Sequence, residues 1–301
     1  MPARKPLILS ALGRLFTVAM VASLLSACMP RQLLVNSAAD ALTAQGQAEE
    51  EDIGLAREAS AFYLKVSESL LRQTPGHLPL AETVASGFTQ YAYAFVAFEA
   101  ERLANTDVKA AQQLNERARR LYGRAHRHAM AALNQTSPGF AAALAQPQAA
   151  LWPKLRDEQV GVAYWAAASW GAYIALSKDD PDAVADLPLA VRLAELAWRT
   201  SPQHGQGDLA SLMGSFEAAR PGGSSAKAAA FFDQAFALSG GKSPGPLVAK
   251  AEAIAQAAGD RPAFEALLKQ ALAVSAGRTD LSSQIMRQRA QWLLDSADDL
   301  F

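Results

Sequence analysis

Cysteine is nearly absent: Cys28 stands alone in 301 residues, which excludes an internal disulfide and any cysteine-built metal cage. A surplus of either charge is missing too. Twenty-eight Lys and Arg against 29 Asp and Glu leave a formal charge of −1, without the basic excess by which a nucleic-acid binder announces itself. No segment alternates apolar and polar residues as a half-buried strand does, and valine and isoleucine are sparse. Catalytic signatures are lacking as well: there is no nucleophile elbow, no Cys/His pair and no paired-carboxylate motif, so the expectation is a non-enzyme without cofactor or metal. "SGGKS" at 239–243 fails as a phosphate loop. The required first glycine would fall on Phe236, no strand precedes it, and Gly240 and Gly241 read instead as a left-handed helix stop. "HRH" at 126–128 fails as a metal pair, because residues two apart on a helix point to different sides and neither has a ligand partner at i+4. His77 and His204 lie in loops with no partner visible in sequence.

What is present begins at the N-terminus. Arg4, Lys5 and Arg14 precede an apolar run, "LFTVAMVASLL", too short to span a bilayer. "LSAC" at 25–28 then places small residues before the single cysteine, a pattern that resembles the bacterial lipobox with Cys28 as the lipidated residue. The alternative is an ordinary signal peptide with an incidental cysteine. Several acyl chains anchor stably where one does not. Met29 and Pro30 follow where inner-membrane lipoproteins carry a retention aspartate, so the expected location is the periplasmic face of the outer membrane. The expected organisation is a signal peptide over 1–27, a lipidated tether over 28–52 and one helical domain over 53–301.

Half of the residues are apolar, ample for a core. Helical periodicity, broken by proline and glycine, predicts helices near 54–73, 79–104, 107–133, 157–178, 182–200, 207–219, 225–238, 245–258, 261–275 and 281–297. Short loops make successive helices antiparallel neighbours. Three helix ends rhyme ("AMAALNQTSP", "AELAWRTSP", "QAFALSGGKSP"), yet their prolines are unequally spaced. The fold class is therefore all-α, tetratricopeptide-like (TPR-like) stacked helix pairs of degenerate repeat. One long irregular crossing, "NQTSPGFAAALAQPQAALWPKL", is placed to cover a mouth.

Two helices concentrate the aromatics. In "VGVAYWAAASWGAYIAL" (160–176), Ala167, Ala168, Gly171, Ala172 and Ala175 share one side. Trp170, Tyr173 and Ile174 share the other, with Tyr164 and Trp165 flanking the start. In "FTQYAYAFVAFEAERLA" (88–104), Phe88, Tyr91, Phe95 and Phe98 form a stripe and Tyr93 falls on the far side. Both sets either fill a core or line a cleft between the two helices. In the second case the small face packs on neighbours while Trp170 and Tyr173 look into the cleft, a surface suited to an amphipathic ligand. Arg117, Arg120, Arg124 and Arg127 form a second stripe, either a solvated face or a surface for an acidic partner, an anionic ligand or lipid headgroups. Tyr122 lies off that stripe among alanines and is expected to be buried.

Four blocks taken together resemble the T-component (TatT) family of TRAP-transporter-associated periplasmic lipoproteins: "GFTQYAYAFVAFEAE" (87–101), "RARRLYGRAHRHAMAAL" (117–133), "YWAAASWGAYIALSKDDP" (164–181) and the C-terminal run from "FFDQAFALSGG" to "RQRAQWLLDSADDLF". The third is the most specific; the last alone is merely TPR-like. The resemblance implies an all-helical lipoprotein with a hydrophobic pore or cleft. Its implied partner is the extracytoplasmic solute-binding (P) protein of a tripartite transporter of organic acids, and its implied assembly is a homo-oligomer, a trimer on the family's pattern. No catalytic motif transfers, and the residues carried over are Tyr164, Trp165, Trp170, Gly171 and Tyr173. The competing expectation is a helical scaffold for envelope assembly with no small ligand. A through-going apolar pocket between 88–98 and 160–176 separates the two.

Overall fold

The computed structural model describes residues 39–40 and 50–301. The signal peptide and Cys28 lie outside the described residues. Among those residues there is no strand, and no helix is long and apolar enough to cross a membrane. The main helices are α1 (Ile53–Leu71), α2 (Leu78–Ala92), α3 (Phe98–Leu103), α4 (Val108–Thr136), the short α5 (Phe140–Leu144), α6 (Val160–Ala175), α7 (Pro181–Ala185), α8 (Leu187–Thr200), α9 (Asp208–Ala219), α10 (Ser225–Leu238), α11 (Gly245–Lys250), α12 (Arg261–Ser275), α13 (Leu281–Asp295) and the terminal turn α14 (Ala297–Leu300).

Their starts follow from side-chain caps. Asp52, Asp107, Asp180, Ser224, Asp260 and Asp280 each accept hydrogen bonds from backbone N–H groups of the first turn that no earlier carbonyl reaches. Gly240 and Gly241 stop α10 at φ 65° and 73°, as the failed phosphate loop implied. Successive helices stack as antiparallel pairs, the TPR-like arrangement, with α4 central between α2 and α6, and α8 behind α6. Alanine makes this close packing possible: Ala118, Ala125 and Ala129 of α4 and Ala163, Ala166 and Ala167 of α6 are fully buried. Gly171 makes room on another side of α6, since a Cβ there would stand 2.8 Å from the Phe216 ring of α9.

Three features depart from the sequence reading. First, the helix expected over 79–104 contains a π-helical turn, Tyr93–Ala97, and that over 245–258 contains another, Ala251–Gln256. Second, α13 returns to the beginning of the chain. It packs on α1, Gln284 Nε2 donates to the Glu50 carbonyl at 2.6 Å, and Phe98 meets Trp292 edge-to-face at 5.6 Å. Arg289 of α13 is 7% exposed and bridges Glu101 of α3 at 2.9 Å and Glu252 at 2.6 Å. Third, part of the expected tether is docked. Ala39 is fully buried, and His77, whose Nδ1 caps α2 by accepting from the Leu80 N–H, meets the Asp40 carboxylate through Nε2 at 3.1 Å.

Candidate functional site

The return of α13 closes a space between the two aromatic helices. A cavity of about 470 Å³ is lined by Ser60, Tyr63 and Leu64 of α1, by Thr83, Ser86, Gly87, Thr89, Gln90 and Tyr91 of α2, and by Tyr93, Ala94 and Phe95 of the π-turn. Tyr122 of α4, Tyr164, Trp165, Ala168 and Ala172 of α6, Asp208 of α9, and Leu281, Ser282, Ile285 and Met286 of α13 complete it. Aromatic rings and alkyl chains thus face a row of hydroxyls and amides, a lining suited to an apolar body with a polar end.

Of Tyr91, Phe95, Tyr164, Trp165, Trp170 and Tyr173, the residues expected to line such a cleft, the structure brings the first four together. Tyr91 and Phe95 meet edge-to-face at 5.4 Å, and Tyr164 and Trp165 do so at 4.8 Å. Trp170 and Tyr173 are elsewhere. Trp170 is 8% exposed and packs on His126 of α4 with ring centroids 4.3 Å apart. Tyr173 lies over Gly123 of α4, with the Arg119 guanidinium 6.0 Å from its ring. On α6 the cavity wall beyond Tyr164 and Trp165 is formed by Ala168 and Ala172, two of the five small-face residues; Ala167 is fully buried and Gly171 abuts Phe216. Trp170 and Tyr173 pack towards α4, and Ala168 and Ala172 leave the void.

Tyr93, expected on the far side, nonetheless lines the cavity, at the first position of the π-turn. Burial pushes its phenol well up, opposed by the Arg289 guanidinium 5.5 Å from its ring. Tyr122 is buried as expected but also reaches the cavity wall. Sequence reasoning missed Asp208 and the α13 residues altogether. Burial raises the Asp208 carboxyl to about 6, and it is the sole charged residue in the lining. The irregular crossing at 134–155 covers no part of this cavity. Phe140 and Leu144 anchor it in the core, and Arg192 of α8 lies 4.4 Å from the Trp152 ring.

The arginine stripe borders a separate surface hollow of about 510 Å³, where Arg119 joins Arg117, Arg120, Arg124 and Arg127 around Leu121, Gly123 and Tyr173. These arginines are not equivalent. Arg124 is committed inward, its guanidinium making a two-pronged pair with the buried Glu68 carboxylate. His128 and Lys65 reach the same carboxylate at 2.8 Å, and Arg72 at 3.1 Å. Burial would raise the Glu68 carboxyl, but the hydrogen bonds from Arg124, Lys65 and His128 outweigh it and bring it down to about 2. Arg120 is exposed and pairs with Glu116 at 3.4 Å. Arg117 and Arg127 are exposed with no carboxylate in reach among the described residues, and Arg117 donates to the Tyr91 hydroxyl at 3.4 Å.

Comparison with known proteins decides the family. The model of the TRAP transporter T-component family matches residues 49–301, almost all of the described chain. The chain belongs to the TRAP transporter T-component family. It is 28% identical over 263 residues to an uncharacterized protein of Treponema pallidum (strain Nichols), covering 84% of this chain and 81% of that protein. A crystal structure of a thermophilic TPR protein of Thermus thermophilus is similar with a TM-score of 0.48 and 17% identity, over 80% of this chain and 93% of the other. Membership in the T-component family makes the chain an accessory component of a TRAP transporter system.

Proposed function

We propose that this T-component is a non-enzymatic, lipid-anchored periplasmic protein that holds a small apolar or amphipathic ligand in its central cavity and docks the solute-binding protein of its transporter. One observation carries the ligand half: a cavity of about 470 Å³ lies between the aromatic helices and is walled by Tyr91, Phe95, Tyr164 and Trp165. A space of that size falls within the range of small-molecule sites and exceeds the voids that well-packed cores retain. The docking half rests on the arginine hollow. Arg117 and Arg127 there lack carboxylate partners among the described residues, which favours an acidic surface opposite. Membrane attachment, a third element of the proposal, rests on Cys28 in its lipobox-like setting, with the outer membrane as the expected site.

The test is capture of the full-length lipoprotein from solubilised envelope, with mass spectrometry of the associated protein and of material extracted into organic solvent. The reading expects a solute-binding protein and a bound amphiphile. It further expects that Arg117→Glu with Arg127→Glu loses the protein but keeps the amphiphile. Capture of other envelope proteins with no extractable ligand would favour the scaffold instead.

A further inference from the structure

The cavity contains an imbalance. Asp208 is its sole charged lining residue, and among the described residues no cation or hydrogen-bond donor meets its carboxylate. Asp208 is solvent-exposed as a residue, so its carboxylate stands where the cavity opens, with enough protein around it to raise it. An acid in the first turn of a helix gains from the helix dipole anywhere on a protein surface. That gain does not explain why α9 starts here, facing an aromatic wall.

The backbone shows how the start is enforced. Gly205, Gln206 and Gly207 run consecutively at φ 64°, 50° and 113°. Gln206 is the one non-glycine residue with positive φ among those described, a conformation that costs on the order of 1–2 kcal/mol. At Gly207 a Cβ would stand 2.3 Å from the Ala235 carbonyl oxygen of α10. The chain therefore accepts strain and a close approach, and Asp208 follows directly. Around it stand an aromatic corner and a silent base. Tyr164 meets Trp165 at 4.8 Å and His204 at 5.5 Å. Burial holds the His204 imidazole below its ordinary range, so near pH 7 it is neutral and supplies no countercharge. Burial raises the Tyr164 phenol, and the Asp208 charge raises it further, so it too is neutral.

A carboxylate beside aromatic faces, with no cation of the protein reaching it, is the arrangement that recognises an organic ammonium. We propose that Asp208 is the head-group contact of the cavity, and that the ligand is an amphiphile with an ammonium head at Asp208, Tyr164 and Trp165 and an apolar body along Tyr91 and Phe95. This rests on the reading that the cavity holds an amphipathic ligand, and it adds the sign of the head group. An organic anion meets the wrong charge in the cavity; the arginine hollow is the place that suits one.

Three probes of equal chain length test it on the full chain: decyltrimethylammonium, decanol and decanoate, titrated at pH 8 and low salt with tryptophan fluorescence as readout. The expected order is ammonium tightest and decanoate weakest, separated by about fivefold, as a charge contact at a partly open site supplies. Asp208→Asn should collapse the three to within about threefold while leaving decanol affinity unchanged, and Asp208→Ala should do the same if the amide makes contacts of its own. Decanoate binding as tightly as the ammonium, or an order that survives both substitutions, overturns the proposal. Decanol separates the two layers. If it binds and Phe95→Ala weakens it, the cavity reading stands whatever the head-group order. If none of the probes binds, the cavity reading falls and the ammonium site with it.

Discussion

Replacing Trp170 by alanine and, separately, Ala172 by leucine sets the two faces of α6 against each other. Trp170 is 8% exposed and its ring lies 4.3 Å from that of His126, in the seam between α6 and α4. A large aromatic buries about 150–250 Å². At about 25 cal/mol per Å² its removal forfeits about 4–6 kcal/mol of transfer free energy. Partial collapse of the site brings the expected loss to about 3–5 kcal/mol. For a chain of this length each kcal/mol moves the melting temperature by about 2–4 °C, so a fall of roughly 10 °C is expected. Ala172→Leu runs the other way. In a filled core the added carbons cost about 1–3 kcal/mol, but Ala172 faces open space, so the cost should stay below about 1 kcal/mol. Binding of an apolar probe such as decanol should weaken several-fold because the leucine occupies its volume. Urea denaturation and thermal melts give the stabilities; fluorescence titration gives the affinities. A cheap Trp170→Ala combined with an Ala172→Leu that unfolds the protein would refute this assignment of faces.

Other expectations follow from single contacts. Arg289→Ala leaves Glu101 and Glu252 facing each other without their shared cation, so stability should fall by about 3–5 kcal/mol in urea titration, and Glu252→Gln on that background should recover part of it. Burial, set against a hydrogen bond to the Ala166 carbonyl, holds His126 down at about 4. The unfolded chain therefore binds this proton first; its stabilisation is full above about pH 6.5 and lost as pH falls towards about 4, by at most about 3 kcal/mol, and urea midpoints of His126→Gln should lack that slope. The paired Glu68 contributes a separate loss lower down, between its ordinary range and about 2. Cys28→Ala should release the folded protein from washed membranes, and a variant that stays in the pellet counts against lipidation.

Helix positions were legible because their signals are local. Proline and glycine punctuation ended the periodic runs, and aspartate or serine caps began them, so α10 (Ser225–Leu238) and α12 (Arg261–Ser275) fall at the positions read from periodicity. The π-turns were not legible, because a single inserted residue leaves the apolar count of "YAYAFVAF" unchanged. Nor was the role of α13, whose contacts with α1 and α3 join positions some two hundred residues apart. Asp208 carried one faint signal: "HGQGD" places two glycines just before a helix start, where a serine or asparagine cap is commoner.

That Ala168 and Ala172 rather than Trp170 and Tyr173 face the void has a physical origin that periodicity does not encode. A helix apolar all round offers two ways to pack, and 100° plots place large and small residues on opposite sides without saying which side meets protein. Burial rewards area, so rings on a central helix are drawn into contact: Trp170 onto His126, Tyr173 onto Gly123, with glycine and alanine on α4 making room. Alanines pointing at a space leave it open because nothing on them reaches across. A ligand-sized void is therefore marked on its wall helix by the small residues and supplied with aromatics from the edges, here Tyr164 and Trp165 at the start of α6 and Tyr91 and Phe95 opposite. On α6 it is Ala168 and Ala172, not Trp170 and Tyr173, that mark the side facing the void.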